Sequence, residues 1–188
     1  MNIDLKRKKE KRNIAIRWVL YYVIMAAEYV IMTTFTSELP APLLILATAM
    51  CISVFEDPFD AAVLGCTAGL FIDSAEGTLM GMNGIIIMWC CLMSSLLFYF
   101  VMRRHIVNVL MLVTASAVIQ TGFRYIFYYF IWDYDTGGRI LLERFLPVLV
   151  TTVISVLPIY PVIKMMHSRL GLIKETYIEE KSDDIVRE

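Results

Sequence analysis

Apolar residues in this chain come in long unbroken runs, not in the narrow stripes of a water-soluble helix. Six runs stand out. They extend from Arg17 to Phe35, from Pro42 to Phe55, from Phe59 to Ile72, from Gly84 to Met102, from Ile106 to Trp132 and from Leu146 to Met166. A helix that crosses a bilayer needs about 20 largely apolar residues, so the pattern predicts an all-α bundle of about six membrane spans. The second and third runs hold only about 14 residues, which rise about 21 Å against a hydrocarbon core of about 30 Å. They fit either a re-entrant hairpin or two short helices packed inside the protein, with the bilayer thinned locally. The linker Glu56-Asp57-Pro58 is too polar for lipid and must reach water or a polar interior.

The placement of basic residues orients the bundle. With six crossings and the N-terminus inside, seven lysines and arginines precede or open the first span, Arg103 and Arg104 follow the fourth, and five more lie from Lys164 onward. Only Arg139 and Arg144 fall outside, and Arg124 lies within a span. Fourteen against two predicts a plasma-membrane protein with both termini in the cytoplasm. The chain then divides into a basic arm (1–16), a six-span domain (17–168) and an acidic tail (169–188) expected to be solvated and mobile. The arm suits anionic lipid headgroups.

Composition agrees with the pattern. Of 188 residues 59% are apolar and 19% charged, with mean hydropathy +0.66. Soluble domains are nearer 45–50% apolar, so disorder, collagen and nucleic-acid binding are excluded. The four cysteines (Cys51, Cys66, Cys90, Cys91) sit in apolar runs without disulfide or zinc spacing. The basic N-terminus resembles a signal peptide, but its apolar stretch is too long, contains Glu28 and lacks a small-residue cleavage site. It is read as an uncleaved first helix.

Ionisable groups inside a span are costly and usually face the bundle interior. Glu28 lies nine residues before Ser37, and Arg124 nine before Asp133. Both therefore sit about 13 Å below the outer surface, and they are expected to form an intramembrane ion pair, for packing or for binding a ligand or partner, the alternative being unpaired side chains that face a water cavity. Ala61, Gly65 and Gly69 recur at every fourth position, a small-residue face for internal packing or for docking another membrane protein. Asp73 is followed by Glu76, Gly77, Gly81 and Asn83. The glycines suit tight turns, and Asn83 is placed as an N-cap of the fourth helix. His105 and His167 sit at helix ends, and no metal-ligand spacing, nucleophile elbow or nucleotide loop occurs. No enzymatic activity, metal or cofactor is expected. The aromatics from Tyr125 to Trp132 read as an interfacial belt.

The stretch from Pro42 to Asn83 resembles the rod shape-determining protein MreD family. The likeness rests on Glu56 and Pro58 between two short apolar segments, then Gly65, Gly69, Leu70 and Asp73, then Gly77, Gly81 and Asn83. It covers about 40 residues, and the remaining likeness is layout. The longer basic arm and the acidic extension after Lys174 depart from the family. The resemblance implies a non-enzymatic scaffold of the cell-elongation complex that binds the membrane anchor of MreC and works with MreB, RodA and a class B penicillin-binding protein. In that setting the Arg103-Arg104 loop faces MreB or anionic lipid, and the loop from Asp133 to Arg144 faces outer partner domains. It further implies a fold similar to the substrate-binding subunits of energy-coupling-factor transporters. The alternative is such a subunit itself, binding a vitamin-like molecule.

Overall fold

The computed structural model describes residues 2–35, 43–77, 79–102, 105–127 and 146–187, with side chains described for 12–34 of the first stretch and 146–169 of the last. The loop at Arg103-Arg104, the loop from Asp133 to Arg144 and the aromatics from Tyr128 to Trp132 lie outside the described residues. Among the described residues six helices follow in order: α1 (Asn2–Phe35), α2 (Leu44–Ser53), α3 (Pro58–Glu76), α4 (Met82–Phe100), α5 (Ile106–Tyr125) and α6 (Leu146–Arg187). Among the described residues there is no strand.

Side chains are distributed for life in lipid. Val19, Val23, Trp89, Met93, Val107, Met111 and Leu157 are exposed, whereas Thr48, Ser53, Ser94, Ser116, Gln120 and Thr152 are buried. A continuous apolar surface of this kind would be untenable in water, while buried hydroxyls and amides hold helices together where lipid supplies no hydrophobic drive. Among the described residues four helices are long and apolar enough to cross a bilayer: α1 through Arg12–Thr34, α4, α5, and α6 through Leu146–Arg169. The protein is an all-helical, multi-pass membrane bundle.

The short second run becomes the centre of that bundle. Nine of the ten residues of α2 are buried, and α2 packs on each of the other five helices. At about 15 Å it is short because protein, not lipid, surrounds it, which is the interior-helix arrangement of the two expected. The third run is longer than its hydropathy suggests. It continues as helix through Asp73 to Glu76, since those acids turn toward protein partners, and at 19 residues α3 matches α4 in length. Pro58 opens α3 at a position whose N–H has no helical acceptor.

Contacts fix which ends lie together. Arg17, Glu56, Ser95 and His167 gather at one end of the bundle, through Arg17–Glu56, Ser95–Glu56 and Phe55–His167. Glu76, Asn83, Gln120 and Arg124 gather at the other. The first is the Glu56 end and the second the Asp73 end.

The basic arm and the acidic tail are helical and continuous with the first and last spans, α1 running from Asn2 and α6 to Arg187. Neither 2–35 nor 172–187 contains proline or glycine, and lysine, arginine and glutamate are good helix formers.

Candidate functional site

The α3–α4 hairpin carries most of the motif residues, and α3 and α4 are the most extensively packed helix pair. Their closeness comes from the small-residue face. A Cβ added at Gly65 would lie 2.8 Å from the Ile87 carbonyl oxygen, and one at Gly69 would lie 2.4 Å from Gly84 Cα. Backbone meets backbone there, and only glycine fits. Ala61 is fully buried one turn earlier. The face expected for packing or docking is thus occupied by α4. Leu70, beside Gly69, is partly exposed and reaches over Gly84.

At the Asp73 end the hairpin turns through two left-handed glycines, Gly77 (φ 64°) and Gly81 (φ 96°). The Gly77 N–H bonds back to the Asp73 carbonyl and closes α3. The Asp73 carboxylate then ties down the start of α4. Its Oδ2 accepts the Gly81 N–H at 2.7 Å, and its Oδ1 accepts the Asn83 side-chain amide at 2.8 Å and the Asn83 N–H at 3.3 Å. Asn83 is therefore not the N-cap expected of it. Gly81 holds that position, and the Asn83 side chain turns inward to bridge three helices. Its Oδ1 accepts Gln120 Nε2 from α5 at 3.2 Å.

One turn beyond Gln120, Arg124 Nη1 meets Glu76 Oε1 at 2.6 Å. This corrects the expected Glu28–Arg124 pair. α1 packs on α2, α3 and α6, while α5 packs on α2, α4 and α6. Nor are the two at equal depth: Arg124 lies in the last turn of α5 beside Glu76, whereas Glu28 lies seven residues before the end of α1. Glu28 instead accepts a hydrogen bond from Thr48 on α2.

At the opposite end, Glu56 plays the part that Asp73 plays above. It is 8% exposed, so the polar linker reaches a polar interior. Arg17 Nη2 lies 2.8 Å from its Oε2, the Tyr21 hydroxyl donates to its Oε1 at 2.7 Å, and its backbone carbonyl accepts the Ser95 hydroxyl at 2.8 Å. Burial pushes the Glu56 carboxyl up from its ordinary range, against the pull of the Tyr21 bond and the Arg17 guanidinium. One loop residue thereby fastens α1 and α4 to the start of α3.

Between the two ends the Met50 sulfur collects the Cys91 thiol at 3.8 Å and the Ser94 and Ser116 hydroxyls at 3.8 and 3.6 Å. All four cysteines are free thiols. An apolar groove of about 450 Å³ opens between α4 and α5, lined by Trp89, Met93, Leu112, Ile119 and Phe123 among others.

Tyr21, Thr48, Ser95 and Gln120 were not singled out from the sequence. Gln120 and Arg124 are one helical turn apart in an apolar run, which puts two polar groups on one face of α5, and that spacing is the signal in the sequence. Among the described residues no group of three or more histidine, cysteine, aspartate or glutamate side chains is placed to hold a metal ion. Compared with protein-family models, with curated proteins and with solved structures, the chain matches none.

Proposed function

We propose that the chain is a non-enzymatic membrane scaffold of the MreD type. It supports cell shape and lateral peptidoglycan synthesis by binding the membrane anchor of MreC, and so links MreB to RodA and a class B penicillin-binding protein. One observation carries the reading: the motif residues are used for geometry. Gly65 and Gly69 seat α3 on α4, while Glu56 and Asp73 fasten the two ends of the hairpin to α1 and α5. A rigid hairpin held at both ends suits a surface that partners read. The excess of basic residues at the Glu56 end supports a plasma-membrane location with that end in the cytoplasm. Because α4 occupies the small-residue face, the MreC helix docks on another face.

Depletion in a rod-shaped host is expected to round the cells, and affinity purification from membranes is expected to recover a single-span MreC-like protein. Normal rods on depletion with no such partner recovered would overturn the proposal. A second reading, a vitamin-like substrate-binding subunit, is favoured by one feature. Gln120 Oε1 is buried beside the Asp73–Asn83 pair without a hydrogen-bond partner among the described residues. Recovery of a tightly bound small molecule with the purified protein would favour it.

A further inference from the structure

The stripe of α1 that faces the bundle reads Tyr21, Met25, Glu28, Met32, and all four are buried. Glu28 therefore turns its carboxyl toward protein. Arg17 marks the Glu56 end, and eleven further residues place Glu28 about 16 Å along the helix, near the middle of a core about 30 Å thick. Its Oε1 is bonded by the Thr48 hydroxyl, and its Oε2 is buried with no hydrogen-bond partner among the described residues.

The two arginines of the neighbouring ion pairs are engaged elsewhere in the bundle. Arg17 is paired with Glu56, and Arg124 with Glu76. Three helices pack against α1. From α2 the titratable group near Glu28 is the Cys51 thiol. On α3 the acids lie toward the two ends, Asp60 at one and Asp73 and Glu76 at the other, and on α6 Tyr160, Lys164 and His167 lie toward the Glu56 end. One carboxyl and one hydroxyl are too few for a metal ion, which takes at least about four donors. A proton needs one oxygen. It also removes the charge, whose burial with a single hydroxyl donor is strongly unfavourable.

We propose that Glu28 is a proton-binding site in the membrane interior, with the proton on Oε2 and Oε1 accepting from Thr48. The site is independent of the scaffold reading. It also makes Glu28 a target for a lipophilic carbodiimide. The acid adds across one N=C bond: the carboxyl oxygen bonds to the central carbon and its proton goes to nitrogen. The resulting O-acylisourea rearranges by acyl transfer to a stable N-acylurea, with no oxidant or reductant involved.

The test uses the full chain in lipid vesicles at neutral pH. Infrared difference spectra are expected to show the carbonyl band of a protonated carboxylic acid, lost in Glu28→Gln and shifted in Thr48→Val, which keeps the acid and removes its donor. Dicyclohexylcarbodiimide is expected to add once, on the peptide containing Glu28. The shift in Thr48→Val reads the site even where Glu28→Gln does not fold. A spectrum without that band overturns the proposal, as does labelling that sodium ions abolish at constant pH, since that marks a metal-cation site.

Discussion

The carboxylate of Asp73 and the side-chain amide of Asn83 lie 2.8 Å apart across the α3–α4 turn, and both residues are almost fully buried. Asp73 also accepts two backbone N–H groups there. Asp73→Ala removes the acceptor for three donors and strands a buried amide. A loss of about 2–3 kcal/mol of stability is expected, measured by denaturation in lipid–detergent micelles. Asp73→Asn keeps an acceptor oxygen, and the expected loss is smaller.

Arg124 with Glu76, not with Glu28, defines a charge-exchange experiment. Each single reversal, Arg124→Glu or Glu76→Arg, sets like charges against each other at the Asp73 end. The double reversal restores the pair and is expected to regain most of the melting temperature. Combining Arg124→Glu with Glu28→Arg is expected to be worse than either single change. The Arg124 and Glu76 side chains keep 26% and 16% of their exposure, so the pair itself contributes only about 1 kcal/mol. A rescue by the Glu28 combination would contradict the geometry.

Gly69 and Gly122 separate close approach from mere helix position. An added methyl at Gly69 meets the Gly84 backbone at 2.4 Å, whereas at Gly122 nothing lies within 4 Å. Gly69→Ala must push α3 away from α4, at a cost of about 1–3 kcal/mol. Gly122→Ala is expected to be neutral or slightly stabilising, because alanine is the better helix former. Thermal unfolding of the two variants side by side gives the comparison.

The bundle was legible where hydropathy and boundary signals coincide. α4 and α5 are dominated by apolar residues, and both start within two residues of the expected positions. The last turn of α3 was not legible, because hydropathy counts Asp73 and Glu76 as polar without knowing that each faces a protein donor. Neither depth nor direction was readable from residue counts: Arg124 lies in the last turn of α5, while Glu28 lies seven residues before the end of α1. That is why Glu28 and Arg124 were matched across α2. The small-residue spacing disclosed a face, and only the fold supplied α4 as its occupant. The role of Glu56 was half visible: its linker needed a polar interior, while Arg17 and Tyr21 lie more than thirty residues away in sequence.

Arg17 and Glu56 offer the sharpest test of how the bundle is fastened at its other end. Their side chains keep 13% and 4% of their exposure, so removing one partner leaves the other charged and nearly buried. Breaking a buried pair this way costs about 3–5 kcal/mol, whereas replacing both partners with groups of similar shape is often neutral. Arg17→Met alone is therefore expected to be strongly destabilising, since it leaves Glu56 with only the Tyr21 hydroxyl on its carboxylate. Arg17→Met with Glu56→Gln is expected to recover much of that loss, because the amide oxygen still accepts from Tyr21 and no charge remains. Cross-linking between cysteines introduced on the facing sides of α1 and α2 would report whether α1 stays seated. Equal loss of cross-linking in the single and double variants would mean that the charge itself, not its burial unpaired, holds α1 in place.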